Sequence, residues 1–228
     1  MTALGLLELA RGPALWFSLA VLAVGSLWRV AGILRLPARP DLSEPRSTRL
    51  FSGALHGIVA RMLPHPSLRW RSRFGAWNAY AYHIGLAIIV FGYRPHILFI
   101  ERLTGLAWPA VPEALVFAAV GVTFVSFVLA LLERLEDPVR RLLSSFDDYF
   151  SWVVVLLPLL TGMAALSQSY AAAVPPAVPL DPLPVAVHLL SVELLFVWLP
   201  FGKLAHTFLL FASRGVTGAA LARRGAAL

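Results

Sequence analysis

Five long apolar runs constrain this chain more than any other feature of its sequence. Each is long enough to cross about 30 Å of hydrocarbon as a helix. The runs cover residues 13–34, 76–100, 112–132, 149–169 and 184–211. The chain is 59% hydrophobic and 14% charged, whereas soluble domains have about 25% charged residues. We therefore predict an all-α integral membrane bundle of five transmembrane helices, forming a single domain over residues 1–228.

The positions of the basic residues predict how this bundle is oriented. Cytoplasmic loops of membrane proteins carry an excess of Lys and Arg. With the N-terminus outside, all but three of the nineteen Lys and Arg fall on the inner side, the exceptions being Arg11, Arg94 and Arg102. We predict an outer N-terminus and a cytoplasmic C-terminus, in a bacterial-type cytoplasmic membrane. The net charge of +7 is then explained by topology and by the membrane surface, not by nucleic acid.

A sixth apolar pattern lies between the first and second runs. Residues 49–63 place apolar side chains at helical spacing, with Arg49, Ser52, His56 and Arg61 on the remaining positions. This pattern is typical of an amphipathic helix that lies in the membrane interface, so lipid is a predicted partner. We interpret His56 and the nearby His65 as solvated or interfacial side chains, with ligation or proton relay as the alternative.

Four histidines lie within the second and fifth runs. His188 and His206 are eighteen residues apart, which in an unbroken helix is five turns, so both would share one face with roughly 27 Å of rise between them. In the predicted topology, His83 is level with His206 in the inner leaflet, and His96 is level with His188 in the outer leaflet. Histidines in a membrane interior are costly to leave unpaired.

Histidine is also the remaining strong ligand for a soft metal, because the chain has no cysteine. This excludes disulfides, iron–sulfur ligation and covalently attached c-type haem from the chain. Two helices with histidines at matching depths predict one or two b-type haems, each held by two histidines. The alternative is a haem-free membrane anchor or small transporter, in which each histidine bonds to a neighbouring polar group. Gly85 and Gly92 fit either close approach of a macrocycle or ordinary helix packing.

Two charged residues are further candidates for the site. Glu193 is a carboxylate inside the fifth run, which makes it a candidate for handling the proton of a quinol. Its alternative role is a pair with a buried polar group such as Gln168 or Asn78. Arg94 could bind a haem propionate or a quinone oxygen, or else extend to the membrane surface.

Several of these residues resemble a known family. They are the segment from Trp77 to Gly85, the Asp148-Tyr149-Phe150 start of the fourth run, and the spacing of His188 and His206. Together they resemble the gamma subunit of respiratory nitrate reductase and its relatives, including the membrane cytochrome b of the complex associated with dissimilatory sulfite reductase. The resemblance implies a quinone-linked b-type cytochrome in which His83 and His206 bind the inner haem and His188 binds the outer one.

The fourth ligand departs from the family pattern. Family members have a Gly-His pair ten residues after the first histidine, but here Gly92 is followed by Tyr93. His96, three residues further on, can serve if Pro95 breaks the helix and redirects the imidazole. Tyr93 remains the alternative, as a weak ligand or as a hydrogen-bond donor.

These expectations give a functional prediction for the whole chain. It carries electrons between the quinone pool and a cytoplasmic iron–sulfur subunit of a respiratory complex, through one or two haems b. Because the chain has neither cysteine nor a nucleotide-phosphate loop, the terminal catalytic chemistry is expected on other subunits. The chain is thus an electron-transfer subunit of an oxidoreductase, with a quinone site and no catalytic residue of its own.

Overall fold

The computed structural model describes residues 2–36, 42–60, 62, 69–173 and 181–226. Regular structure in these ranges is helical, without a strand. In chain order the helices are α1 (Ala3–Arg11), α2 (Pro13–Leu34), α3 (Leu50–Ala60), α4 (Arg69–Gly92), α5 (Arg94–Thr104), α6 (Glu113–Glu136), α7 (Pro138–Leu142), α8 (Phe146–Ala173), α9 (Pro182–Trp198) and α10 (His206–Arg223). A short 3₁₀ turn, Lys203–Ala205, precedes α10.

The chain divides into two compact units. The first comprises Met1–Met62 and Ser145–Leu228, and the second comprises Leu63–Ser144. In the first unit α9 packs against α1, α2 and α8, while α3 packs along α10. In the second unit the main contact is between α4 and α6. The predicted single cytochrome domain stays a prediction.

Four helical segments of the described residues are long and apolar enough to cross a membrane, and a bent pair brings the number to five if it counts as one span. The four are Ala3–Leu34, Arg73–Gly92, Glu113–Glu136 and Phe146–Leu166, and the bent pair is Pro182–Trp198 with Lys203–Arg223. The all-α prediction is therefore confirmed, and the helices are compatible with a multi-pass membrane protein. The predicted amphipathic helix is present as α3, although residues 61 and 63 lie outside the described residues.

Local sequence accounts for where several helices begin and end. α9 begins at Pro182, whose missing N–H costs nothing in a first turn, and Asp181 accepts a hydrogen bond from the Leu183 amide at 2.9 Å. α5 ends before Gly105, which adopts a left-handed conformation with φ of 76°. Glycine adopts this conformation without steric cost, so it is the usual residue at such a helix end.

The second predicted span is not one helix over residues 76–100. α4 ends at Gly92, Tyr93 is extended, and α5 begins at Arg94 with Pro95 in its first turn. Proline cannot donate to the carbonyl four residues earlier, which here is that of Phe91. The indole of Trp108 donates to that carbonyl instead, at 2.5 Å. The expected break at Pro95 is confirmed, and the continuous span is wrong.

The fifth predicted span, residues 184–211, is not one helix either. α9 ends at Trp198, and the segment from Lys203 to Arg223 is turned by 81° relative to it. Pro200 lies in the break, where it cannot continue the helical hydrogen bonds. The prediction that His188 and His206 share one face of an unbroken helix is therefore wrong. Apolar composition alone does not reveal such a bend.

Candidate functional site

His83 lies on α4 in the second unit. Its ring is exposed, stacks on Tyr82 with 4.2 Å between centroids, and places Nδ1 2.7 Å from the carbonyl oxygen of Ala79. A carbonyl only accepts, so Nδ1 carries the proton and the lone pair of the neutral ring is on Nε2. Metal-ligating histidines are commonly oriented by such a bond from the other ring nitrogen.

His96 lies on α5 and bonds back to the end of α4. Its Nδ1 is 2.8 Å from the carbonyl oxygen of Ile89, one of the carbonyls that lose their helical partner when α4 ends. The ring is half-buried and meets Tyr93 edge to face, with 5.3 Å between centroids. The break therefore redirects the imidazole, as expected, and gives His96 a structural role in capping α4.

Arg94 lines a shallow depression of about 290 Å³ in the second unit. Glu101 and Trp108 line the same depression. A quinone oxygen accepts hydrogen bonds, and a guanidinium is a strong donor. Arg94 is exposed, so the alternative of an arginine directed to the surface also stands.

The glycines beside these histidines serve helix packing. A Cβ at Gly85 would collide with the hydroxyl of Thr123 on α6, and a Cβ at Gly92 would lie 2.7 Å from the Val111 side chain. Nearby, the amide of Asn78 donates to the Ser126 carbonyl at 2.8 Å. The hypothesis that Gly85 and Gly92 leave room for a macrocycle is therefore wrong, because protein atoms occupy that space.

His188 lies between α9 and α8 in the first unit. The hydroxyl oxygen of Thr161 lies 3.2 Å from Nδ1 of His188, 2.7 Å from the Leu157 carbonyl oxygen and 2.8 Å from the Ser191 hydroxyl. The ring lies over Gly162, where an added Cβ would be 3.1 Å from the imidazole. Ser191 donates to the His188 carbonyl at 2.7 Å. The half-buried ring is thus oriented by α8 and α9 together.

His206 begins α10, directly after the break in the fifth span. The ring is exposed, and Nδ1 lies 2.8 Å from the carbonyl oxygen of Lys203. As in His83, this bond places the proton on Nδ1. The position of the ring therefore depends on how Lys203 is held.

A polar cluster, which we call the clasp, holds Lys203 against the start of α8. The Asp147 carboxylate accepts the Lys203 backbone N–H at 3.1 and 3.3 Å and the Ser151 hydroxyl at 3.0 Å. Trp198 donates its indole N–H to Ser151 at 2.8 Å, and Asp148 forms an ion pair with the Lys203 ammonium. The clasp comprises Asp147, Asp148, Ser151, Trp198 and Lys203.

Sequence analysis did not identify the clasp. Lys203 is the sole lysine of the chain, and it is separated from the paired Asp147 and Asp148 by about fifty residues of apolar sequence. A lone lysine inside an apolar run, with two aspartates at the start of the preceding one, was the available signal. We use Lys203 only to predict the topology and Asp148 only for the family resemblance.

Glu193 is buried in α9, with 5% of its surface exposed. Within the part of the chain that the structure describes, Oε1 has no hydrogen-bond partner. The residue is five positions after His188, which in a helix is about 140° around the axis. Glu193 therefore does not share the face that His188 presents to α8. Of its two predicted polar partners, Gln168 has a side chain outside the described residues and Asn78 belongs to the other unit, so that pair stays a prediction.

The predicted ligand pairs are each divided between the two units. His83 and His96 belong to the second, and His188 and His206 to the first, so the pairing stays a prediction. Among the described residues no group of three or more His, Cys, Asp or Glu is close enough to hold a metal ion. Such a group is not required for haem, because the porphyrin supplies four nitrogens and the protein supplies the axial ligands.

A protein of Nitratidesulfovibrio vulgaris, named only "Protein", is similar to this chain. The two are 28% identical over 211 residues, which covers 91% of this chain and 89% of the relative. No family model matches the chain, and no solved structure matches it either. The resemblance to nitrate reductase gamma subunits stays a prediction.

Proposed function

We propose that this chain is the b-type cytochrome subunit of a respiratory complex in a bacterial-type cytoplasmic membrane. It carries electrons between quinol or quinone and a cytoplasmic iron–sulfur subunit. The observation that carries the proposal is common to His83, His96, His188 and His206. In each, Nδ1 is bonded to an oxygen. In His83, His96 and His206 that oxygen is a carbonyl, which supports the tautomer with its lone pair on Nε2.

The donor set fits haem b. Axial imidazoles are its common ligands, and covalent attachment would need cysteines that the chain lacks. Bound haem supplies one-electron chemistry. The hydrogen bond at each Nδ1 fixes the orientation of the ring and leaves Nε2 as the nitrogen that would bind the iron. Within a membrane, the apolar helices would keep water away from the bound group.

We assign the ligand pairs by depth, His83 with His206 and His96 with His188. The assignment rests on the proposed topology, with an outer N-terminus, a cytoplasmic C-terminus and five spans. For the fourth ligand we favour His96 over Tyr93, because the break at Gly92 turns its imidazole back along α4. Tyr93 then supports the His96 ring by an edge-to-face contact.

The clasp gives His206 a fixed position despite the bend before it. Asp147 holds the backbone of Lys203, and the carbonyl of Lys203 holds Nδ1 of His206. Arg94 is the residue we assign to a quinone oxygen or a haem propionate. Glu193 remains a candidate for holding a proton within α9, on a face that His188 does not share.

The test is a dithionite-reduced minus oxidised spectrum of the purified full chain, followed by the same spectrum of single histidine variants. We expect a b-type α band in the parent. His83→Ala and His206→Ala should remove the same spectral component, and His188→Ala a different one. His56→Ala, which alters an exposed histidine on α3, is the matched control and should leave the spectrum unchanged.

Two results would contradict the proposal. A parent protein without an α band would favour the haem-free anchor or transporter. If His83→Ala and His206→Ala removed different components, the pairing by depth would be wrong even though the chain binds haem. His96→Ala compared with Tyr93→Phe decides the fourth ligand.

A further inference from the structure

The helices α3 and α10 form an interlocked pair in the first unit. Gly53 and Gly57 on α3 meet Gly218 on α10, and a Cβ at Gly57 would lie 2.6 Å from the Cα of Gly218. A Cβ at Gly53 would collide with Ala222. Such close approach of two backbones requires glycine. We call these two helices the α3–α10 pair.

The connection before α3 is also tied to the end of α10. The Arg46 backbone donates to the Arg223 carbonyl at 2.8 Å, and the Arg223 guanidinium donates to the Ser43 carbonyl at 3.0 Å. These two hydrogen bonds hold the leading segment against the C-terminal end of the pair.

The bend before α10 determines how the pair lies relative to α9. The segment containing α10 is turned by 81° from α9. The seventeen residues of α9 rise about 25 Å, close to the thickness of the hydrocarbon core. If α9 crosses the bilayer near its normal, α10 runs nearly parallel to the bilayer plane, and α3 runs beside it.

One face of α3 is apolar and exposed. Phe51, Leu55 and Val59 recur every four residues and are 78%, 50% and 68% exposed. Gly53 and Gly57 face α10, and each stripe residue is two positions away from one of them. Two positions are about 160° apart around a helix, so the stripe lies on the side of α3 opposite α10. Ser52 and His56 border the stripe on its polar side and are exposed too.

The pair is also strongly basic. The described segments 42–60 and 206–226 contain a single acidic residue, Glu44, against five arginines, Arg46, Arg49, Arg214, Arg223 and Arg224. An apolar stripe beside a basic surface is the composition of helices that lie on anionic membranes.

We propose that the α3–α10 pair lies in the headgroup region of the bilayer and binds anionic lipid. The stripe of Phe51, Leu55 and Val59 enters the acyl boundary, and the exposed arginines Arg46, Arg49 and Arg224 contact lipid phosphates. The bend after α9 places α10 in the plane of the bilayer surface. The proposal does not depend on haem, so it stands or fails separately from the cytochrome assignment.

The absence of cysteine from the chain permits a direct test by site-specific labelling. Phe51→Cys and, as a second stripe position, Leu55→Cys carry an environment-sensitive fluorophore. Ser52→Cys is the matched control on the polar side. The full chain is reconstituted in nanodiscs of phosphatidylcholine, with or without phosphatidylglycerol, and quenched either by nitroxide lipids or by aqueous iodide.

We expect the Phe51 and Leu55 labels to be quenched several-fold more by acyl-chain nitroxide than the Ser52 label. Phosphatidylglycerol should increase this contrast, and Arg49→Gln with Arg224→Gln should reduce that increase. Equal iodide quenching at all three positions would overturn the proposal. The stripe would then be a contact surface for a protein partner and not for lipid. A contrast that is indifferent to phosphatidylglycerol would overturn the binding of anionic lipid.

Discussion

The two histidine-bearing runs both break, but they break in different ways. In the second unit, the backbone groups released after Gly92 are satisfied by residues of the following twenty positions. The Ile89 carbonyl accepts from His96, that of Phe91 from Trp108, and that of Gly92 from the Val111 amide at 3.0 Å. In the first unit, the Lys203 amide is satisfied by Asp147, which is 56 residues away.

This difference separates a break that the nearby sequence encodes from one that depends on tertiary structure. The break at Gly92 has its own proline, indole and imidazole close by. The break after Trp198 requires that α8 and α9 already pack, because the clasp bridges them. We therefore expect the break after Trp198 to be more sensitive to single substitutions than the break at Gly92.

Asp147→Ala should have the largest effect. It removes the acceptor of the Lys203 amide and of the Ser151 hydroxyl, and we expect a loss of about 3 kcal/mol in the free energy of unfolding. Asp147→Asn should lose less, because its amide oxygen still accepts. Titration with a denaturing detergent, followed by circular dichroism, measures both. Glu136→Ala, at an exposed acidic residue, is the control and should change little.

Gly202→Ala should destabilise by about 2 kcal/mol, since an added Cβ overpacks the clasp. That Cβ would lie 2.6 Å from the indole nitrogen of Trp198 and 2.7 Å from the Asp147 carboxylate. Gly32→Ala is a matched control on α2, where the described residues place no neighbouring atom within 4 Å, and it should be neutral or slightly stabilising. The same titration measures the free energy of unfolding of both variants. Equal values would mean that the clasp has room for the added Cβ.

Trp108→Phe should destabilise by about 1 kcal/mol, the usual value of a single neutral hydrogen bond. The phenyl ring keeps much of the contact with Phe91 but cannot donate to its carbonyl. Trp77→Phe, at an exposed tryptophan of the same unit, is the comparison variant. If Trp108→Phe costs as much as Asp147→Ala, the contrast between the two breaks is wrong.

Lys203→Met should have the smallest effect, below about 1 kcal/mol. The Lys203 side chain is 54% exposed, and Asp148, whose side chain is 6% exposed, still accepts from the amide and the hydroxyl of Ser145. The backbone amide of residue 203 still donates to Asp147. Raising the salt concentration should lower the stability of the parent toward that of the variant. A loss as large as that of Asp147→Ala would mean that the side chain, not the backbone, holds the break.

The sequence predicted which segments are helical better than it predicted where those helices end or bend. The limits of α2 agree with the first predicted run because Pro13 marks its start and polar residues follow Leu34. The break at Pro95 was anticipated because proline acts locally. The bend after Trp198 was not predicted, although Pro200 and Gly202 lie in the run. Hydropathy indicates which residues suit the membrane interior, but it does not give the direction of the helix axis.

The site was predictable in part for the same reason. Apolar surroundings identified His83, His96, His188 and His206 as candidates, but the oxygen that holds each Nδ1 is set by packing. Thr161 lies 27 residues before His188 and Asp147 lies 56 before Lys203, and a single sequence contains no signal for such distant contacts. The packing role of Gly85 was likewise set by Thr123 on another helix.

The amount of haem bound per chain tests the central claim most directly. We predict that the purified full chain releases one or two haems b per polypeptide in a pyridine haemochrome assay, and that acid–acetone extracts all of it because no cysteine can attach it. His188→Ala combined with His206→Ala should retain none, while His56→Ala should retain the parent amount. Protein that is folded by circular dichroism and free of haem, even when produced with added haem precursor, would contradict the account.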